Sequence, residues 1–346
     1  MGVKYKPVIW TKQIIIYDVI LFVCLALYIY LFVFVSQKID PDVDIKGVNI
    51  RAYGSAAIIL LHVILSIGPL ARLNTKFLPL LFNRRHLGVT MFLLAANHAR
   101  LAIDWYHKLG DTDPYISVLI SNLNFFDFIR FPFEILGLLA LIILFVMAAT
   151  SHDFWLANLT APVWKAIHMF VYLAYGLLVG HVVLGAMQAH TNPLLTVIMG
   201  LGMFWIVGLH VISGFQEFKK DQNLLFPDSE DFVEVGTIDE IPEYRAKVVA
   251  IAGERVAVFK YDGKISAISN ACQHQNGPLG EGKIIDGCIT CPWHGYQYAP
   301  ESGASPPPFT EKVPNFDVKL VGDRIFVKAS PNRPGTYVEP AIISSK

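Results

Sequence analysis

Hydropathy divides the chain into two stretches with different periods. Before about residue 225, apolar residues come in long runs near 14–35, 52–71, 86–104, 131–150, 163–188 and 194–214. Each run approaches the ~20 residues that a helix needs to cross a bilayer. Six of them in so short a stretch predict a membrane bundle rather than a buried soluble core. The first run is too long for a signal-peptide core and has no small-residue cleavage site after it, so it is expected to be retained. After residue 231 the pattern shortens. FVEVGTI, KVVAIAG, RVAVFK, KISAIS, FDVKLV and RIFVK are short, β-branched and bounded by turns such as Asp262-Gly263 and Gly322-Asp323, which predicts an all-β domain. The expected fold class is multi-domain α + β: a six-helix transmembrane bundle (1–215), a linker (216–231), an all-β domain (232–330) and a tail (331–346).

Charge adds an orientation. The 346 residues include 28 basic and 28 acidic ones, and that balance argues against a nucleic-acid partner. It is a sum of unlike parts: residues 1–225 hold 16 basic and 12 acidic residues, and the rest hold 12 and 16. Lys4, Lys6, Lys12, Arg72, Lys76, Arg84, Arg85, Lys165, Lys219 and Lys220 fall on one side of the six runs. Lys38, Lys46, Arg51, Arg100, Lys108 and Arg130 fall on the other, and acids accompany most of them. The positive-inside rule then places both the N-terminus and the β domain in the cytoplasm.

Three of the four cysteines cluster. Cys24 lies in an apolar run, whereas Cys272, Cys288 and Cys291 fall within twenty residues. Cys272-Gln273-His274 and Cys291-Pro292-Trp293-His294 form two short Cys/His loops. Such a set holds either zinc or a [2Fe–2S] cluster with two Cys on one iron and two His on the other. One Cys and one His per loop lets each iron draw a like pair from both loops. Gly277-Pro278-Leu279 and Gly295 follow the two halves, and Pro306-Pro307-Pro308 reads as a third covering loop.

On these residues the stretch 231–330 resembles the Rieske ferredoxin family. The resemblance implies a [2Fe–2S] cluster, with Cys272 and Cys291 on the buried iron and His274 and His294 on the exposed one. Rieske proteins of quinol–cytochrome c complexes add a disulfide between the loops; those positions look like Gly277 and Trp293 here, so none is expected. Cys288 precedes the second loop and reads as a strand residue. The high-potential proteins also place Ser and Tyr after the second loop, where this chain has Tyr296 and Tyr298. With one hydrogen bond to the cluster lost and one kept, an intermediate potential is expected.

The other nine histidines all lie in the apolar part. Ionisable groups inside a span are costly and usually functional. His98 falls on the third run, His168 and His181 on the fifth, and His86 at the edge of the third. His62, mid-span on the second, reads as a structural hydrogen-bonding residue or as a replacement for His86. His107, His152 and His190 fall in connections. Arg100 reads either as a haem-propionate partner or as a snorkelling surface residue.

The surrounding text resembles the ferric reductase-like transmembrane haem family, which includes the membrane cores of NADPH oxidases, STEAP metalloreductases and the haem subunit serving periplasmic methionine sulfoxide reductase. The likeness covers Gly68-Pro69-Leu70-Ala71-Arg72-Leu73, Arg84-Arg85-His86-Leu87-Gly88 up to His98, Ala149-Thr150-Ser151-His152-Asp153, and His168-Met169-Phe170-Val171-Tyr172 up to His181. It implies b-type haem, one or two with two favoured: an outer haem on His98 and His181, and an inner one on His86 and His168. The pairs are offset by 12 and 13 residues, or about 18 and 20 Å of helix. At about 100° per residue neither offset returns to the same face, so an irregularity is expected, with Gly176 and Gly180 as candidates.

These resemblances imply electron transfer in the bacterial inner membrane. The partners expected are the lipid bilayer, a cytoplasmic donor such as a ferredoxin reductase or flavoprotein, and an acceptor such as a quinone or a protein on the outer face. There is no glycine-rich nucleotide fingerprint, so NAD(P)H is expected to act through a separate reductase. The alternative is a terminal metal, oxygen or quinone reductase acting at the outer haem.

Overall fold

The computed structural model describes residues 12–152, 155, 159, 161–189, 193–222, 224–225, 231–274, 276–293 and 295–343. Two compact units divide the chain: one takes 12–67 and 83–209, the other 68–82 and 210–346.

The first unit is helical. Its elements are α1 (Lys12–Ile39), most of α2 (Ile45–Leu73), α3 (Arg84–Tyr106), α4 (Pro114–Ile120), α5 (Phe133–Thr150), α6 (Ala161–Met169), α7 (Val171–Leu184), α8 (Ala186–Ala189) and the first part of α9 (Pro193–Gln222). Among the described residues, five helical stretches are long and apolar enough to cross a membrane: 12–39, 45–73, 133–150, 163–188 and 196–219. The third predicted run forms the 23-residue α3, but it is not among those five, and Arg84, Arg85, Arg100 and Asp104 lie within it. α2 is the most enclosed, with half of its most apolar window buried, whereas α1 buries none of its own.

The fifth run is interrupted, though not at Gly176 or Gly180. It breaks at Phe170, whose N–H turns back to Ile167 O at 3.2 Å, and again at Gly185. A Cβ at Gly176 would meet nothing within 4 Å. The α6–α7 break therefore falls between His168 and His181 and changes their angular relation.

The second unit carries the β fold. A six-stranded sheet runs β1 (Leu224–Leu225), β3 (Ala246–Ile251), β4 (Glu254–Tyr261), β5 (Lys264–Ser269) and β12 (Ala341–Ile342), with β9 (Asn315–Phe316) also on β5. β10 (Val318–Val321), β11 (Arg324–Lys328) and β2 (Phe232–Thr237) form a second sheet. β6 (Lys283–Ile285), β7 (Cys288–Thr290) and β8 (Gln297–Tyr298) form a third. β4 and β5 pair in antiparallel register from Val256–Ser269 to Tyr261–Lys264 and are buried along most of their length. Near-continuous apolar runs such as RVAVF suit such a position. One core gathers Phe259, Ile268, Leu279, Ile289, Cys272, Cys291 and Tyr298 beneath the two Cys/His loops. α9 continues through Gln222, inside the stretch read as linker, and the stretch read as tail supplies edge strand β12.

Candidate redox centres

The two Cys/His loops share one turn geometry. After β5, Cys272 N–H donates to Gly277 O at 2.9 Å, and Asn276 N–H donates to Cys272 O at 2.6 Å. Between β7 and β8, Cys291 N–H donates to Tyr296 O at 2.7 Å, and Gly295 N–H donates to Cys291 O at 2.9 Å. Each loop closes five residues after its cysteine. The fourth residue must turn left-handed, and it does, at Asn276 (φ 55°) and Gly295 (φ 73°). Those are residue types that tolerate this conformation.

Cys272 and Cys291 are each 1% exposed. His274 stands inside the first turn, its ring stacked on Tyr296 at 4.8 Å and 8°. His294, the fourth expected ligand, lies outside the described residues. Gly277 bridges the loops: a Cβ there would stand 2.6 Å from Cys291 Sγ and 3.2 Å from Trp293. Gly277 and Trp293 are therefore neighbours, as the disulfide positions they were likened to would be, and no disulfide occurs among the described cysteines. Cys288 is a buried residue of β7.

The two tyrosines divide in role. The Tyr298 hydroxyl accepts Gln273 N–H at 3.0 Å and lies 3.3 Å from Cys272 Sγ. Burial, then the adjacent Cys272, raises it well above the ordinary tyrosine range, so it stays a hydrogen donor. The Tyr296 hydroxyl donates instead to Glu311. The buried cysteines, the gap at Gly277 and a donor aimed at one sulfur suit a sulfur-ligated cluster.

In the helical unit, His98 on α3 and His181 on α7 face each other, with ring centroids 6.3 Å apart and planes at 86°. Two metal–nitrogen bonds of about 2 Å, each continued about 1 Å to its ring centre, separate two imidazoles on one iron by about 6 Å. His98 Nδ1 lies 2.8 Å from Ile50 O, and His181 Nδ1 lies 2.9 Å from Phe133 O. A carbonyl only accepts, so each Nδ1 carries the hydrogen and each Nε2 is left basic. This is the arrangement that metal-bound histidines use.

The other expected pair takes different neighbours. His86 Nδ1 lies 2.6 Å from Asp18 Oδ2 on α1. His168 Nδ1 lies 3.0 Å from Trp164 O, its Nε2 lies 3.4 Å from Ser151 Oγ, and its ring stacks on Trp164 at 3.7 Å. α3 is unbroken, so twelve residues rotate His86 about 120° from His98; the first faces α1 and the second α2. His62 bonds Ile58 O through Nδ1 at 2.7 Å and the Tyr175 hydroxyl through Nε2 at 3.0 Å. His107 bonds Ser117, and His190 lies outside the described residues. Arg100 turns its guanidinium to Asn97 and Asp104 at the surface.

Comparison with known families identifies both parts. Residues 53–179 match the ferric reductase like transmembrane component, and residues 231–317 match the Rieske [2Fe-2S] domain. The chain is a fusion that belongs to both families. The ferredoxin component of the alkene monooxygenase system of Xanthobacter autotrophicus is 27% identical over 114 residues, which is 32% of this chain and 93% of that protein. The anthranilate 1,2-dioxygenase ferredoxin subunit of Burkholderia cepacia is 32% identical over 95 residues, or 27% of this chain and 87% of that protein. Human apoptosis-inducing factor 3 is 26% identical over 108 residues, and the chain spans only 18% of its length. Among solved structures, the ferredoxin of carbazole 1,9a-dioxygenase from Nocardioides aromaticivorans aligns at 27% identity over 29% of this chain and 98% of its own, with a TM-score of 0.27. The fusion makes this an integral membrane protein of electron transfer that carries a Rieske [2Fe–2S] domain.

Proposed function

We propose that the chain exchanges electrons between a Rieske cluster on Cys272, His274, Cys291 and His294 and b-type haem inside the membrane. The observation that carries the haem assignment is the facing of His98 and His181 at 6.3 Å, each with its Nδ1 held by a backbone carbonyl. When bound, the two groups supply one-electron redox chemistry. The protein's part is to orient their ligands and exclude water. Ile50 and Phe133 fix the imidazoles, Tyr298 directs a hydrogen bond to the Cys272 sulfur, and the core beneath the Cys/His loops keeps that sulfur dry.

The fuller reading has two stacked haems, the second on His86 and His168. Each of those rings has its Nδ1 held by an acceptor, Asp18 for His86 and Trp164 O for His168, and His168 Nε2 would have to exchange its contact with Ser151 Oγ for the metal. It also has six spans, with α3 as the third. Its charges lie in its first turn and around Arg100–Asp104, leaving an uncharged stretch from His86 to Ala99. We place both termini in the cytoplasm of a bacterial inner membrane, as the basic connections favour. The donor would be a reductase or flavoprotein of the kind that serves ferredoxin components, and the acceptor a quinone or a protein on the outer face. The domain division is a haem domain to residue 215, a linker to 231, a Rieske domain over 232–330 and a tail.

The test is a haem and iron count per chain, with optical and EPR spectra, for the wild type and His98→Ala. A Rieske signal in both, with the low-spin haem of the His98–His181 pair lost only in the variant, supports the reading. Zinc in the β domain, or haem indifferent to His98, rejects it.

A further inference from the structure

The two facing histidines are held by one construction used twice. On α2, Ile50 offers its carbonyl to His98, and Gly54 stands one turn later on the same helix. On α5, Phe133 offers its carbonyl to His181, and Gly137 stands one turn later. A Cβ at Gly54 would stand 2.8 Å from His98 Nδ1 and 2.9 Å from Cε1; at Gly137 it would stand 2.7 Å and 2.9 Å from the same atoms of His181. Residues four apart share a helix face, so carbonyl and glycine form one notch. The glycine removes the side chain that would fill the imidazole's place, and the ring settles where its Nδ1–H reaches the carbonyl.

Other glycines of these helices do nothing similar. A Cβ at Gly88 on α3 or Gly176 on α7 would meet nothing within 4 Å. Gly202 on α9 receives His62 by the opposite edge: a Cβ there would stand 2.6 Å from Nε2 and 3.0 Å from Cδ2. With Tyr175 also on that nitrogen, this notch closes His62 to a metal. The edge that the glycine meets thus separates the paired histidines from His62.

We propose that Gly54 and Gly137 are positioning residues that seat His98 and His181 with their planes crossed at a right angle and their Nε2 atoms presented to one haem iron. This rests on the haem reading above. Because glycine leaves each ring one position, the crossing angle of 86° becomes a property of the bound state. In low-spin ferric haem, crossed imidazole planes leave two iron d orbitals nearly degenerate and give a strongly anisotropic EPR signal. Parallel planes split those orbitals and give a rhombic one.

The experiment compares the full chain, purified in detergent, as wild type, Gly54→Ala, Gly137→Ala, Gly176→Ala and His98→Ala. Haem per chain, the low-temperature EPR signal and the haem midpoint potential are read, with the Rieske signal of each sample as the measure of intact chain. The wild type is expected to show the strongly anisotropic signal. Gly54→Ala and Gly137→Ala are each expected to lose haem on the order of tenfold or more, as happens when an outer partner of a metal-bound histidine is disturbed, or to keep it with a rhombic signal and a shifted midpoint. Gly176→Ala should match the wild type. A rhombic wild-type signal, or alanine variants with wild-type haem, anisotropy and midpoint, overturns the proposal. If an alanine variant fails to accumulate, the wild-type spectrum decides: strong anisotropy supports the proposal and rhombicity overturns it. Haem that survives His98→Ala unchanged refutes the haem site itself, an outcome distinct from failure of the glycines alone.

Discussion

The Tyr298 hydroxyl stands 3.3 Å from Cys272 Sγ while accepting the N–H of Gln273. One phenol thus ties the second loop's strand to the first loop's cysteine. A donor on a ligating sulfur stabilises the reduced, more negative cluster. Tyr298→Phe removes it, and a charged hydrogen bond of about 1.5 kcal/mol corresponds to on the order of 60 mV for one electron. The cluster midpoint should fall by roughly that amount, with the cluster content unchanged. A redox titration followed by EPR checks this.

Gly277 is expected to tolerate no side chain. An added methyl would lie 2.6 Å from Cys291 Sγ, so either the sulfur or the loop must move. Gly277→Ala should lose most of its cluster, read as iron per chain and Rieske signal. Its haem content should stay at the wild-type level.

Asp18 bears on the number of haems. Its carboxylate, 2.6 Å from His86 Nδ1, would make a His86 ligand more electron-rich and its haem harder to reduce. Asp18→Asn should raise one of two haem midpoints by tens of millivolts, on the order of the same single hydrogen bond. If the titration shows a single component that the variant leaves in place, His86 is not a ligand.

Arg255 on β4 forks to Glu217 at 2.5 Å and Asp221 at 2.7 Å, one turn apart near the end of α9. All three are partly exposed, so solvent and salt weaken the cluster, and the pair energy is about 1 kcal/mol or less. Arg255→Ala should speed amide hydrogen exchange at 217–222 and lower the unfolding midpoint of the β domain slightly. The difference should shrink at high salt.

Cys288 supplies a pH dependence. Burial, with smaller contributions from Glu301 and Asp286, pushes its thiol from about 9 up to about 11. Between those values the unfolded chain releases this proton and the folded chain keeps it. Stability therefore declines as pH rises from about 9 to 11, and the decline should be reduced in Cys288→Ala. Denaturant unfolding across that range measures it, and the variant should keep its Rieske signal.

What the chain declares in advance follows from its solvents. A bilayer demands long apolar runs, so most helices are visible as such. α3 is visible as a helix but less as a span, because Arg84, Arg85, Arg100 and Asp104 dilute its hydropathy. The Cys/His spacing is equally legible, since ligand type and loop length are local. The seats of His98 and His181 are not, because Ile50 and Phe133 reach them across 48 residues each. No local pattern separates Gly54 and Gly137 from Gly88 or Gly176. The fifth run breaks at Phe170 rather than at Gly176 or Gly180, since the irregularity needs no positive φ. Tyr296 and Tyr298 could be located as cluster neighbours, but Glu311, thirteen residues past Tyr298, carries no signal that it would hold the first of them.

In the proposed relay, cluster and haem share electrons within one molecule. The direct measurement is anaerobic photoreduction of the full chain at sub-stoichiometric electron dose, following the cluster by EPR and the haem by its optical band. An electron entering either centre should redistribute between them at a rate independent of protein concentration, and His98→Ala should remove the share taken by the haem on His98 and His181. A cluster that stays reduced beside an oxidised haem of higher midpoint, or exchange that scales with protein concentration, would contradict it.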